Sequence, residues 1–352
     1  MNNTNTINNA ESVNRLIAVW ALSEGFLGGF LHLARIPLTG LILGNVAVIL
    51  ITLIAKFSDK NGTIIKATII VLIVKGILSP YTPITAYLAV FLQGLFGELL
   101  FYKRKTFFVS ALSLGIIVSF FSSIQKVFFL TVIFGKNLWE SIDQFTIIIF
   151  KDFFGLIYPN LAISKWLIAI YSSIHIIGGI LAGLYASRIA HKTDLLINDE
   201  KSAGHYDVNT FIEEEKNTKV KKGKHKRWWL KPGSIIFMVI TVSLFVYSYV
   251  YPDYPYIEKN SLLVMVLRGL LLSFIWFKFL SPVLMSWFKK LMSRNRNKYT
   301  VDIENVVSVI PLFKSIVRFC WKDSSSLSGI KRINRFFASS LLNLLTVKIN
   351  KV

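Results

Sequence analysis

Glu24, Lys75, Glu98, Lys126 and His175 are ionisable side chains inside long apolar runs of this sequence. Arg35 sits at the link between the first two runs. Charges in hydrocarbon are costly, so such residues face a cavity, a partner or the headgroups. Glu24 lies near the middle of the first run, Glu98 in the inner part of the fourth and His175 near the middle of the sixth. Lys75 lies about a turn below the outer end of the third run, and Lys126 about two turns below that of the fifth. Arg35, Lys75 and Lys126 therefore approach the outer half of one module. Thr39, Asn45, Tyr81, Tyr87, Gln93, Gln125 and His175 offer hydrogen bonds from nearby depths. Together they form a candidate binding set for a small organic anion entering from outside. Blander alternatives stay open: the three cations would also reach the outer headgroups by snorkelling. Glu24 and Glu98 would then be structural partners of one of the cations, or neutral, and His175 a hydrogen-bonded core histidine.

Chemistry of other kinds has no support in the sequence. There is no GxxxxGK[ST], HExxH, GxSxG or EF-hand pattern. No enzymatic activity is therefore expected, and active transport would need its ATPase on another chain. Cys320 is the one cysteine, which excludes an internal disulfide framework. The five histidines form no Cys/His cluster, so neither a metal nor another cofactor is expected.

The elements that must position these residues follow from hydropathy. The chain has 352 residues, 53% hydrophobic and 17% charged, with a mean hydropathy of +0.55, which excludes an ordinary soluble domain. Its formal charge of +21 would raise the question of nucleic acid, but the cations lie between apolar runs and point to a membrane instead. A spanning helix needs about 20 mostly apolar residues. Such runs fall at about 16–34, 37–57, 64–79, 83–102, 106–134, 160–190, 234–251 and 261–288. The expectation is thus an all-helical polytopic membrane bundle of eight spans. The run at 64–79 is short, and Pro80 and Pro83 force a break after it. Residues 1–14 lack the basic flank and cleavage site of a signal peptide, so the first helix is expected to stay in the mature protein.

Charge sets the expected orientation. With the N-terminus inside, the inner loops at 56–66, 103–105, 188–231 and 289–298 are all basic, and the outer segments at 35–36, 79–82, 135–160 and 252–260 hold few cations. An even number of spans also keeps the basic C-terminal tail inside. Residues 193–230 carry Glu213-Glu214-Glu215 and then a nearly all-basic stretch, which reads as a cytoplasmic linker. The expected organisation is a six-helix module over 1–192, this linker, and a two-helix module over 231–352 that ends in a cytoplasmic amphipathic tail. In the tail, Val306, Val307, Ile310, Phe313, Ile316, Val317 and Cys320 recur at helical spacing, broken at Pro311. A second set follows from Ile330 to Leu342, with Lys314, Arg318, Lys331, Arg332 and Arg335 on the other faces. Such helices lie on anionic lipid or dock a cytoplasmic partner.

Small residues recur every fourth position in three runs: Ala21, Gly25 and Gly29 in the first, Gly40 and Gly44 in the second, and Gly178, Ala182 and Ala186 in the sixth. Gly179 and Gly183 lie beside the last set. These stripes let helices approach closely, either within the chain or, for the first run, toward a separate subunit.

The segment Ile36-Pro37-Leu38-Thr39-Gly40-Leu41-Ile42-Leu43-Gly44-Asn45, with Lys75-Gly76-Ile77-Leu78-Ser79-Pro80 and Gln93-Gly94-Leu95-Phe96-Gly97-Glu98, resembles helices two to four of the substrate-binding S component of energy-coupling factor vitamin transporters. The resemblance covers about residues 15–190. It implies capture of a vitamin-like substrate, and docking of a transmembrane coupling subunit at Ala21, Gly25 and Gly29. The two spans and amphipathic helices beyond 231 are similar to the coupling (T) subunit, although Ser324 to Arg335 lacks an Ala-Arg-Gly coupling motif. An S component normally ends after its sixth helix.

The resulting expectation is a transport subunit in a bacterial inner membrane, working with paired ATPases and a coupling subunit on a small, anionic nutrient. Its other partner is membrane lipid, and nucleic acid is not expected. The competing expectation is a membrane scaffold or assembly protein whose basic tail recruits a partner or anionic lipid. A third, a lipid-directed membrane enzyme, needs Glu24, Glu98 and His175 brought together from different helices.

Overall fold

Between Thr39 and Ala55 no side chain is charged, and the backbone polar groups of such a run are satisfied in lipid only within a helix. The same logic governs most of the chain. A computed structural model describes residues 9–33, 38–58, 60–79, 82, 84–102, 106–155, 162–198, 261–280, 282–287, 290 and 299–346, and all regular structure among them is helical. In chain order these residues form α1 (Asn9–Leu22), a π-helical turn (Ser23–Leu27), α2 (Gly28–Leu33), α3 (Thr39–Phe57), α4 (Thr63–Leu78), α5 (Ile84–Phe101), α6 (Phe107–Phe134), α7 (Asn137–Phe154), α8 (Ile163–Asn198), α9 (Ser261–Ile275), α10 (Thr300–Asp323) and α11 (Gly329–Thr346). A second π-helical turn, Trp276–Leu280, follows α9.

Among the described residues, five stretches are long and apolar enough to cross a membrane: Thr39–Phe57, Ile84–Phe101, Phe107–Phe134, Ile163–Thr193 and Leu267–Trp287. The chain is a multi-pass helical membrane protein. The short third run folds as α4, whose 16 residues reach about 24 Å, less than a hydrocarbon core of about 30 Å. α8 has 36 residues and continues six positions into the segment read as linker. The rest of that segment and the run at 234–251 lie outside the described residues.

Two compact units divide the chain. The first takes residues 1–122, 175–219 and 289–352, and the second takes 123–174 and 220–288. In the second unit, α7 packs on α9. α7 lies within the segment read as an outer link, and its Asp143 caps α8: the Oδ1 atom accepts from the Ser164 N–H at 2.6 Å and Oδ2 from the Ser164 hydroxyl at 2.8 Å.

The first unit is built on close helix crossings. A Cβ on Gly115 of α6 would overlap the Gly179 carbonyl oxygen of α8, and one on Gly179 would overlap the Gly115 carbonyl oxygen. One on Gly183 would lie 2.7 Å from the Ala111 carbonyl oxygen. The sixth-run stripe therefore packs inside the chain, backbone against backbone, as small-residue crossings do. The second-run stripe also faces α6, with Gly40 against Ser122 and Gly44 against Val118.

α1 packs on α3 and α4 on one side and on α10 and α11 on the other. The tail thus differs from its expected form in two respects. α10 runs through Pro311 without a break, because that residue is exposed and the ring removes a single amide donor from a long helix. Its apolar side, Ile303, Val306, Val309, Leu312, Ile316 and Cys320, is buried in the first unit. The tail is fastened by Lys66 of α4 to Asp302 at 2.8 Å, and by the buried Arg15 of α1, whose Nη1 donates to the Leu344 carbonyl at 2.7 Å. Arg15 also pairs with Glu11 one turn earlier.

Candidate functional site

Glu24 reaches into the first unit because the helix departs from α geometry around it. The Gly28 N–H donates to the Ser23 carbonyl five residues back, which inserts one extra residue into the turn and re-aims the side chains after Leu22. Glu24 Oε2 then meets Lys75 Nζ of α4 at 2.8 Å, with both side chains nearly devoid of solvent exposure. The approach is possible because position 25 is glycine: a Cβ there would lie 3.1 Å from the Leu78 side chain, in the last turn of α4.

Tyr87 of α5 completes the cluster. Its ring lies with its centroid 5.8 Å from Lys75 Nζ, which adds a cation–π contact, and its hydroxyl donates to the Ser79 carbonyl at 3.4 Å, tying α5 to the end of α4. Tyr87 is almost wholly buried. The second carboxylate oxygen, Glu24 Oε1, is buried and has no hydrogen-bond partner among the described residues. Trp20, one turn earlier on α1, likewise buries its indole N–H without a described acceptor. An unsatisfied carboxylate oxygen in a dry interior is an energetic liability, and such exceptions concentrate at functional sites.

The candidate residues distribute as follows. Lys75 and Tyr87 share the cluster just described. Gln93, also on α5, is buried with its Oε1 unpartnered among the described residues. Thr39 is buried at the start of α3. Asn45, farther along α3, accepts from the Ser119 hydroxyl at 3.1 Å, beside the α6–α8 crossing. His175 is fully buried on α8. Gln125, half-buried, and Lys126, exposed, belong to the second unit. Arg35 and Tyr81 lie outside the described residues. Along the first-run stripe, Ala21 and Gly25 are buried within the chain, whereas Gly29 is open, with Phe26 and Phe30 exposed beside it.

Glu98 has a structural task. Its Oε1 accepts from the Gly62 N–H at 2.6 Å, and its Oε2 from the Ile64 and Ile65 N–H groups at 3.1 and 3.3 Å. These are the orphan donors of the α4 N-terminus, where a carboxylate also complements the helix dipole. Glu98→Ala is expected to destabilise the protein by about 1–2 kcal/mol, read as a fall in thermal midpoint in detergent, with Glu98→Gln intermediate.

The sequence left open that Glu24 and Glu98 pair with one of the cations; Glu24 takes Lys75, and Glu98 takes the N-terminus of α4. Compared with known proteins, the chain matches no family model, no curated protein and no solved structure.

Proposed function

We propose that the protein is a membrane transport subunit that captures a small, anionic nutrient from outside, with Lys75 as the cation that receives it. The observation that carries this reading is the Glu24–Lys75 ion pair sealed within a multi-pass helical bundle. A lone buried cation would be prohibitive, so Glu24 stands in for the anion when no substrate is bound. An arriving carboxylate or phosphate competes with Glu24 for Lys75. The π-helical turn gives Glu24 a local irregularity about which to move, and Tyr87 holds the ammonium in place while the carboxylates exchange.

The wider setting belongs to the same proposal: eight spans, both termini inside a bacterial inner membrane, and separate ATPases with a coupling subunit supplying the work. The link between α3 and α4 and the helix ends beside it carry Lys56, Lys60 and Lys66, and this basic character favours placing that end of the first unit in the cytoplasm. Gly29, open and flanked by exposed Phe26 and Phe30, is the part of the first-run stripe accessible to another subunit.

The test is purification of the intact protein in mild detergent, with mass spectrometry of extracted small molecules and of co-purifying proteins. The expected result is a retained carboxylate- or phosphate-bearing compound that Lys75→Met loses and Lys126→Met keeps, together with ATPase subunits. A monodisperse preparation with neither an anionic compound nor an ATPase sinks the transport reading and leaves the scaffold alternative.

A further inference from the structure

We propose that the outward face of α11 lies in the headgroup layer of an anionic leaflet, the one adjoining the chain's own spans. This inference is independent of the transport reading. The inner faces of the tail are spoken for: α10 buries its apolar stripe in the first unit, and α11 buries Leu344 and Leu345 while Asn343 donates toward Cys320 Sγ at 3.5 Å. Toward the start of α11 the same apolar row is uncovered. Ile333 and Phe337, four positions apart on α11, are 48% and 54% exposed. Lys331 and Arg335 are exposed on the opposite side of α11, where Arg335 faces Asp323 of α10 at 3.6 Å, and α11 itself contains no carboxylate.

Position and charge together select the occupant. Arg15 binds the Leu344 carbonyl one residue before the first apolar run begins, and Lys66 binds Asp302 in the first turn of α10. The tail is therefore held at the end of the first unit where the runs give way to the basic α3–α4 link, which is headgroup depth. A helix there with exposed apolar side chains on one side and cations on the other fits the acyl boundary of an anionic leaflet. Nearby, Arg332 stacks on the half-exposed Trp321 ring at 4.2 Å, an aromatic–cation pair of the kind that favours an interface.

A bimane attached through Phe337→Cys, in the full chain reconstituted into nanodiscs, reports on this face. The native Cys320 is buried, and burial pushes its thiol up from the ordinary range, so labelling is confined to the introduced cysteine. In discs containing phosphatidylglycerol, a nitroxide lipid of headgroup depth is expected to quench the bimane, and iodide is not. Lys331→Glu exchanges a cation for an anion, two charge units worth roughly fivefold each near an anionic surface, so the ratio of bound to free face should fall roughly thirtyfold. The depth measurement on the otherwise unaltered chain stands even where the charge variant fails to fold. Three results overturn the proposal: quenching by iodide and not by the lipid; shielding from both, which means that a second copy of the chain covers the face; or equal lipid quenching in discs of phosphatidylcholine alone.

Discussion

Lys75→Met is expected to destabilise the protein by about 3–5 kcal/mol, because it strands the Glu24 carboxylate in a dry interior. Glu24→Gln alone leaves an ammonium with a neutral partner and the Tyr87 ring, and should cost somewhat less, since the amide oxygen still accepts from Lys75. The double variant Glu24→Met/Lys75→Met removes both charges and is expected to return close to the stability of the native protein, as apolar replacements of buried pairs often do. Thermal unfolding of these proteins together with Glu24→Met in one detergent closes the cycle and gives the coupling energy. If the pair existed only to stabilise the bundle, the double variant would also keep every activity of the parent. If it is the receiving site, the double variant is stable and binds nothing. Singles no worse than the double would mean that the two charges are not buried against each other.

The second large effect separates two glycines that look alike in the sequence. Gly179→Leu is expected to cost at least about 3 kcal/mol or to prevent assembly, because even its Cβ collides with the Gly115 backbone and neither helix can yield without losing the crossing. At Gly29 an added Cβ meets nothing within 4 Å, and Gly29→Leu should change the stability by no more than about 0.5 kcal/mol. Fluorescence-detected size exclusion after heating compares them. In the transport proposal the same Gly29 variant loses the coupling subunit in co-purification while remaining folded. Equal sensitivity at the two positions would mean that the α6–α8 crossing is not as close as described.

The helices were legible because a bilayer gives the backbone little choice: the runs at 37–57, 83–102, 106–134 and 160–190 reappear as α3, α5, α6 and α8 with ends shifted by a few residues. α7 was not, because its apolar side chains sit among Glu140, Asp143, Lys151 and Asp152, which made the segment read as a link. The π-helical turn at Ser23 leaves no mark in residue type, since it is a hydrogen-bond pattern. The Glu24–Lys75 contact was within reach: counted from the inner ends of their runs, the two residues lie roughly 12 and 16 Å deep, near enough to pair if the helices are neighbours. Which helices are neighbours is what periodicity does not record. The same gap hid the docking of α10 on α1, where an amphipathic helix facing protein and one facing lipid have the same pattern.

The bond between Arg15 and the Leu344 carbonyl joins residues 329 apart, and this has a temporal side. At about 5–20 residues per second, ribosomal synthesis delivers Leu344 roughly 16–66 s after Arg15. Through that interval the first helix is in place without the acceptor that later receives its guanidinium, and without the apolar side of α10 that later covers it. α1 is thus made before the other described helices and is among the last to be seated. A chain cut short before Leu344 lacks this fastening, so quality-control proteases have a means of recognising at α1 that synthesis stopped short of α11.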